Sequence, residues 1–134
     1  MALVIDASAM LVAVLGRSAG SAAMRRRLGT EVCHAPHLID AEVGNMLRRQ
    51  VLRGELMADD AEALLHLSGP LVDHRHQMTG ALAGAAWQLR QNVTFYDGLY
   101  VALAAALGVP LITADERLSG APGLSCPVEL VRTQ

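Results

Sequence analysis

The chain contains no lysine; all eleven of its basic residues are arginines. This excludes phosphate binding through a G-K-[ST] loop, Schiff-base chemistry and a Ser/Lys dyad, because each needs an ammonium that a guanidinium cannot replace. Aromatic residues make up 3% of the chain, and without an interleaved basic pattern they form no stacking platform, so Trp87 and Phe95 read as core. Cysteine is limited to Cys33 and Cys126, without C-x-x-C spacing, which suits idle thiols in a reducing compartment. His34, His37, His66, His74 and His76 show no ligand spacing, so none is assigned to a metal. No basic, apolar leader opens the sequence. The uncharged run 98–114 contains Gly108 and Pro110 and falls short of the ~20 apolar residues of a membrane span. A cytoplasmic protein that makes no use of a membrane is expected.

What is present is an apolar, weakly charged chain of 134 residues, 52% hydrophobic and 18% charged, with a net charge of −2. That composition is neither a disordered polymer nor a basic nucleic-acid arm. The length suits a single domain over 1–134 that buries roughly two thirds of its unfolded surface. Ala2–Ile5 is an aliphatic run that suits a strand buried on both faces of a parallel sheet. Two helices are predicted next, from Ala9 to Leu15 and onward to Leu28, the second closed by Gly29. Glu31–Ala35 reads as a strand, and Pro36 opens a helix that runs to Arg53 and stops at Gly54. Helices follow over 58–67 and 79–91, with Leu71-Val72 as a third strand between them. Phe95–Leu107 is apolar nearly all round and reads as a buried helix. Strands at Leu111–Thr113 and Val128–Val131 complete the pattern. The alternation predicts an α/β three-layer sandwich with a largely parallel central sheet flanked by helices.

Against this apolar background, four acids stand out. Asp6 is the only charge among the first sixteen residues, and Asp97 is the only one between Val93 and Ala114. An unpaired buried carboxylate costs several kcal/mol, so each needs a cation, a set of donors or the floor of a cleft. Asp6 and Asp115 each follow a predicted strand at its carboxyl end, the edge where open α/β sheets bind ligands. Glu42 begins a polar stripe with Asn45 and Arg49 on the Pro36 helix. Taken singly, these residues also suit helix caps, turns or a solvated face. Together, several hard oxygen ligands converging at a sheet edge, with no Cys/His cluster, point to Mg²⁺ or Mn²⁺ rather than zinc. Two such ions can activate a water and stabilise the leaving oxygen of a phosphodiester. A dehalogenase-like phosphatase also begins with a strand and an Asp. Asp6-Ala7-Ser8 lacks its second Asp, and the chain lacks its Lys. The rival of another class is a non-catalytic partner-binding module of the same fold, and the intact quartet argues against it.

Val4-Ile5-Asp6-Ala7-Ser8-Ala9, the glutamate helix Ala41–Arg49, and the pair Phe95–Ala104 and Leu111–Leu118 resemble, in order, the four acidic motifs of PIN domains. Within that family they are similar to the VapC toxins of bacterial toxin–antitoxin pairs. The resemblance implies a Mg²⁺- or Mn²⁺-dependent endoribonuclease with the catalytic, metal-binding quartet Asp6, Glu42, Asp97 and Asp115. It implies Ser8 and Thr113 as hydroxyls that orient the carboxylates, a VapB-like antitoxin partner, an RNA substrate and a homodimer. Some relatives carry a further acid where this chain has Arg117, which puts a second metal in doubt. Arg25-Arg26-Arg27 reads as a solvated face or as an electrostatic guide for RNA.

Overall fold

A computed structural model describes residues 1–132. Its sheet has five strands: β1 (Ala2–Ile5), β2 (Val32–Pro36), β3 (His74–His76), β4 (Leu111–Thr113) and β5 (Val128–Leu130). The order is β3-β2-β1-β4-β5 and every pairing is parallel, so all carboxyl ends lie along one edge. The aliphatic β1 is central because it is covered on both faces: Leu3, Val4 and Ile5 are fully buried. Each such side chain contributes roughly 1.5–3 kcal/mol by leaving water.

Between β1 and β3 the chain forms α1 (Ala7–Leu15), α2 (Ala19–Thr30), α3 (Leu38–Leu52) and α4 (Ala58–Ser68). These four pack on one another, with α1 touching α2, α3 and α4. After β3 the chain reverses direction across the sheet through α5 (Ala81–Gln88) and α6 (Phe95–Leu107). Right-handed crossovers therefore place this pair on the opposite face, where α6 lies over β1 and β2. A short α7 (Glu116–Ser119) follows β4. The three layers are those read from the sequence.

Several local readings change. The third strand is His74–His76, whereas Leu71 ends a 3₁₀ turn over Gly69–Leu71 and Val72 caps it. A two-residue apolar signal was outweighed by ladder pairing of three polar residues with β2, which edge strands tolerate. Pro36 closes β2 instead of opening α3, and Gly29 lies inside α2, which continues to Thr30. On α3 the fully buried positions are Ile39, Val43 and Leu47, with Met46 and Val51 only partly covered. Trp87 and Phe95 are not core residues: they are 56% and 40% exposed. The reason is that α5 packs on α6 through Ala86 and Leu82, which turns Trp87 outward.

α6 behaves as its composition demands, with 98–104 buried without a break. Its approach to α5 is close. A Cβ at Gly98 would stand 3.1 Å from the Ala86 carbonyl oxygen, so a side chain there would push the helices apart and shift the adjacent Asp97.

Candidate active site

β1 and β4 are neighbours in the sheet, yet the chain leaves β1 in one direction along it and reaches β4 from the other. This is the topological switch point, where the diverging connections open a crevice at the carboxyl edge. Asp6 follows β1 and Asp115 is two residues beyond Thr113, so both flank that crevice. Asp97 enters from the first turn of α6, and Glu42 from α3.

Asp6 is buried and held by three donors. It caps α1 by accepting from the Ala9 amide at 2.9 Å. The Ser8 hydroxyl donates to Oδ1 at 2.7 Å and the Thr113 hydroxyl donates to Oδ2 at 2.5 Å. Each hydroxyl has one proton, so the 3.2 Å approach of Ser8 Oγ to Thr113 Oγ1 is not a further hydrogen bond while both serve Asp6. Their lone pairs are used as well. Ser8 Oγ accepts from the Ala114 amide at 2.9 Å and Thr113 Oγ1 from the Asp115 amide at 3.0 Å. The start of α1 is thereby laced to the end of β4. The capping role of Asp6 coexists with its place in the crevice.

Glu42 is fixed by a residue that the sequence reading gave no role. The Tyr100 hydroxyl donates to Glu42 Oε1 at 2.6 Å, and Tyr100 is itself almost fully buried. The available signal was its place at i+3 from Asp97, on the same face of an otherwise aliphatic helix. The Asp97 amide donates to Thr94, the N-cap of α6, at 3.1 Å. Asp115 caps α7 through the Arg117 amide at 2.9 Å, and its Oδ2 meets the Arg117 guanidinium at 3.2 Å. Asn45 is exposed on α3 and takes no part in these hydrogen bonds.

The four acids feel one another. Burial holds the carboxyl of Asp6 above its ordinary pKa, with the charge of Asp97 adding to the effect. Burial also raises Glu42, helped by Asp97 and Asp6, and it raises Asp97, helped by Asp115. These are the directions expected when desolvation and like charges both disfavour ionisation. As they stand, no three His, Cys, Asp or Glu side chains among the described residues are grouped to hold an ion. Hydroxyl, phenol and guanidinium partners hold three of the four carboxylates in place. The donor set is nevertheless all hard oxygen, and a cation among the acids would favour the ionised forms of Asp6, Glu42 and Asp97 that burial and neighbouring like charge disfavour.

The fold is that of the PIN-domain class, whose family model matches residues 3–124. The chain is 50% identical to Ribonuclease VapC1 of Mycobacterium tuberculosis, over 96% of this chain and 97% of that one. Among solved structures it is similar to PAE2754 from Pyrobaculum aerophilum, with a TM-score of 0.73 and 21% identity over 96% of this chain and 83% of that one. It is also similar to VapBC2 from Rickettsia felis, bound there to a DNA fragment from its promoter, with a TM-score of 0.71 and 11% identity over 97% and 98% of the two chains. The chain belongs to the PIN-domain family, in its VapC ribonuclease branch.

Proposed function

We propose that this chain, as one PIN unit over 1–134, is the toxin of a toxin–antitoxin pair and an endoribonuclease that hydrolyses RNA phosphodiester bonds with Mg²⁺ or Mn²⁺. The observation that carries this reading is the placement of Asp6 and Asp115 at the β1/β4 switch point, with Asp97 on α6 and Glu42 on α3 near enough to add like charge, in a chain 50% identical to a VapC ribonuclease. Asp6, Asp97 and Asp115 would hold the ion, and Glu42 would complete the set. A divalent ion there supplies the charge that makes a water nucleophilic at neutral pH and stabilises the leaving oxygen. The protein's own part is orientation. Ser8 and Thr113 fix both oxygens of Asp6, and Tyr100 fixes Oε1 of Glu42, leaving Oε2 to position the attacking water.

The partner is a VapB-like antitoxin that inhibits by placing an Arg or Lys side chain among the carboxylates, since a guanidinium neutralises two of them through paired hydrogen bonds. A largely apolar groove of about 440 Å³, bordered by Leu11, Val12, Leu15 and Met46, runs to Ser8 and Ala114 beside the acids and suits such a segment. The active form is a homodimer.

The deciding experiment is cleavage of end-labelled RNA by the purified chain. Cleavage should require Mg²⁺ or Mn²⁺, stop in EDTA and leave 5′-phosphate ends. Activity undiminished in EDTA, or products ending in 2′,3′-cyclic phosphate, would overturn the reading.

A further inference from the structure

A second cavity, of about 370 Å³, opens beside Asp97 and is bordered by Arg90, Asn92, Thr94 and Arg117, with Val93 and Leu118 as apolar wall. Its size falls in the range of sites that take small organic groups. It is built rather than incidental. Asn92 bridges the α5–α6 loop to the segment after α7 by donating to the Pro122 carbonyl at 3.0 Å. The adjoining Gly123 has φ +72°, and any Cβ there would collide with the Asn92 amide, so the bridge depends on glycine at that position.

The charges of this cavity differ from those of the acid cluster. Two arginines from separate parts of the chain, Arg90 and Arg117, line it together with one carboxylate, Asp97. Arg117 is 87% exposed, and its pairing with Asp115 is a single contact at 3.2 Å. Arg90 lies over the ring of Trp87 at 5.0 Å, with Nη1 donating to the Trp87 carbonyl at 3.1 Å and its other nitrogens without a protein partner among the described residues, and that indole is mostly solvent-exposed. A planar cation resting on an exposed aromatic surface, next to amide and hydroxyl donors, is what single-stranded nucleic acid recognises: phosphate charge on one side and a base face on the other. The triple-Arg run offers less. Arg27 is bound to Glu31 and Glu129, and Arg25 donates to the carbonyls of Ala13 and Gly16.

We infer that this cavity holds the RNA strand next to the scissile phosphate, with Arg90 and Arg117 on backbone phosphate and Trp87 stacked on a base. The inference rests on the ribonuclease reading and names where its substrate continues. Arg90, Arg117 and Trp87 are positioning residues that set how the strand enters the acid cluster.

The test uses the full chain in EDTA with a fluorescein-labelled 12-nucleotide RNA of randomised sequence, followed by anisotropy at several salt concentrations. Arg90→Gln and Arg117→Gln should each weaken binding and reduce the slope of log affinity against log salt by about 0.7, the value for one phosphate contact on a single strand. Arg26→Gln, on the remote α2, should change neither. Trp87 is the only tryptophan, so its fluorescence should be quenched by unlabelled RNA with the same midpoint as the anisotropy. Thermal melts of each variant establish that it folds. Absence of RNA binding at low salt, a salt slope unchanged in both Arg variants, or binding without a change in Trp87 fluorescence would overturn the inference. Failure of the ribonuclease reading looks different: the anisotropy and quenching persist while no cleavage appears with Mg²⁺ or Mn²⁺.

Discussion

Acids away from the switch point and acids lining it have different partners. Away from it, Glu31, Glu129 and Asp40 are held by two guanidiniums. Arg27 bridges Glu31 and Glu129, both at 2.7 Å, and Arg75 grips both oxygens of Asp40 at 2.6 and 2.9 Å. The Arg27 partner holds the Glu31 carboxyl below its ordinary range. At the switch point Arg117 meets Asp115 and lines, with Arg90, the cavity beside Asp97, and Asp6, Glu42 and Asp97 are all shifted upward, chiefly by burial. The first set of charges is neutralised by guanidiniums within the chain, whereas Asp6 and Glu42 at the switch point are held by hydroxyl, phenol and amide donors instead.

The largest expected effect would break this comparison outright. Asp97→Asn should lower RNA cleavage by about a thousandfold, the scale of losing one preorganised electrostatic group in an active site. Cleavage near the wild-type rate would reduce Asp97 to a structural acid like Asp40.

Next comes the response to metal. Wild type should gain about 2.7 kcal/mol of stability when free Mg²⁺ stands a hundredfold above its dissociation constant, and Asp97→Asn should lose most of that gain. In EDTA the same substitution should melt at the wild-type temperature or higher, because removing one of several like charges relieves on the order of 1 kcal/mol. Melts of both proteins in EDTA and in Mg²⁺ would show it. An unchanged Mg²⁺ response in the variant counts against the metal site.

Removing the hydroxyls that orient Asp6 should have an intermediate effect. Thr113→Val and Ser8→Ala should each weaken metal affinity or activity by about 10–100-fold, the usual result of deleting a group that orients a metal ligand. A Mn²⁺ titration of either variant indistinguishable from wild type would show that the network serves only the α1–β4 junction.

The pH dependence should reverse between the two regions. For Asp6, Glu42 and Asp97 the folded pKa lies above the unfolded one, so the folded state binds more protons between those values and metal-free stability rises as pH falls from neutral toward the ordinary carboxylate range. For Glu31 the shift is downward, so its contribution is present above the unfolded pKa and is lost as pH falls through the folded one. In EDTA the melting temperature should therefore climb on mild acidification before it drops. Mg²⁺ should abolish the climb, because a bound cation favours the ionised acids. A melting temperature that falls steadily from pH 7 in EDTA would contradict the burial of charged carboxylates at the switch point. The smallest effect is expected for Glu31→Gln, which should lower stability by less than about 1 kcal/mol, as for other partly exposed ion pairs, and leave the Mg²⁺ gain intact.

The sequence by itself determined the layers and the candidate acids. β1 is apolar at every position, so burial on both faces followed directly, and an acid placed at the end of such a strand had to meet the carboxyl edge. The buried α6 was legible for the same reason, since a helix apolar on all sides has nowhere else to go. Tertiary structure alone decided the partners. Thr113 reaches Asp6 across 107 positions of sequence and Tyr100 reaches Glu42 across 58, because strand neighbours and facing helices are set by the sheet order rather than by local spacing. The polar β3 was invisible to hydrophobic periodicity, because its strand conformation comes from hydrogen bonding to β2 and not from a buried face. Trp87 was read as core on composition and lies outside because α5 meets α6 through small residues. Side-chain chemistry limits what a residue can do, but the direction it faces depends on packing between elements far apart in the chain.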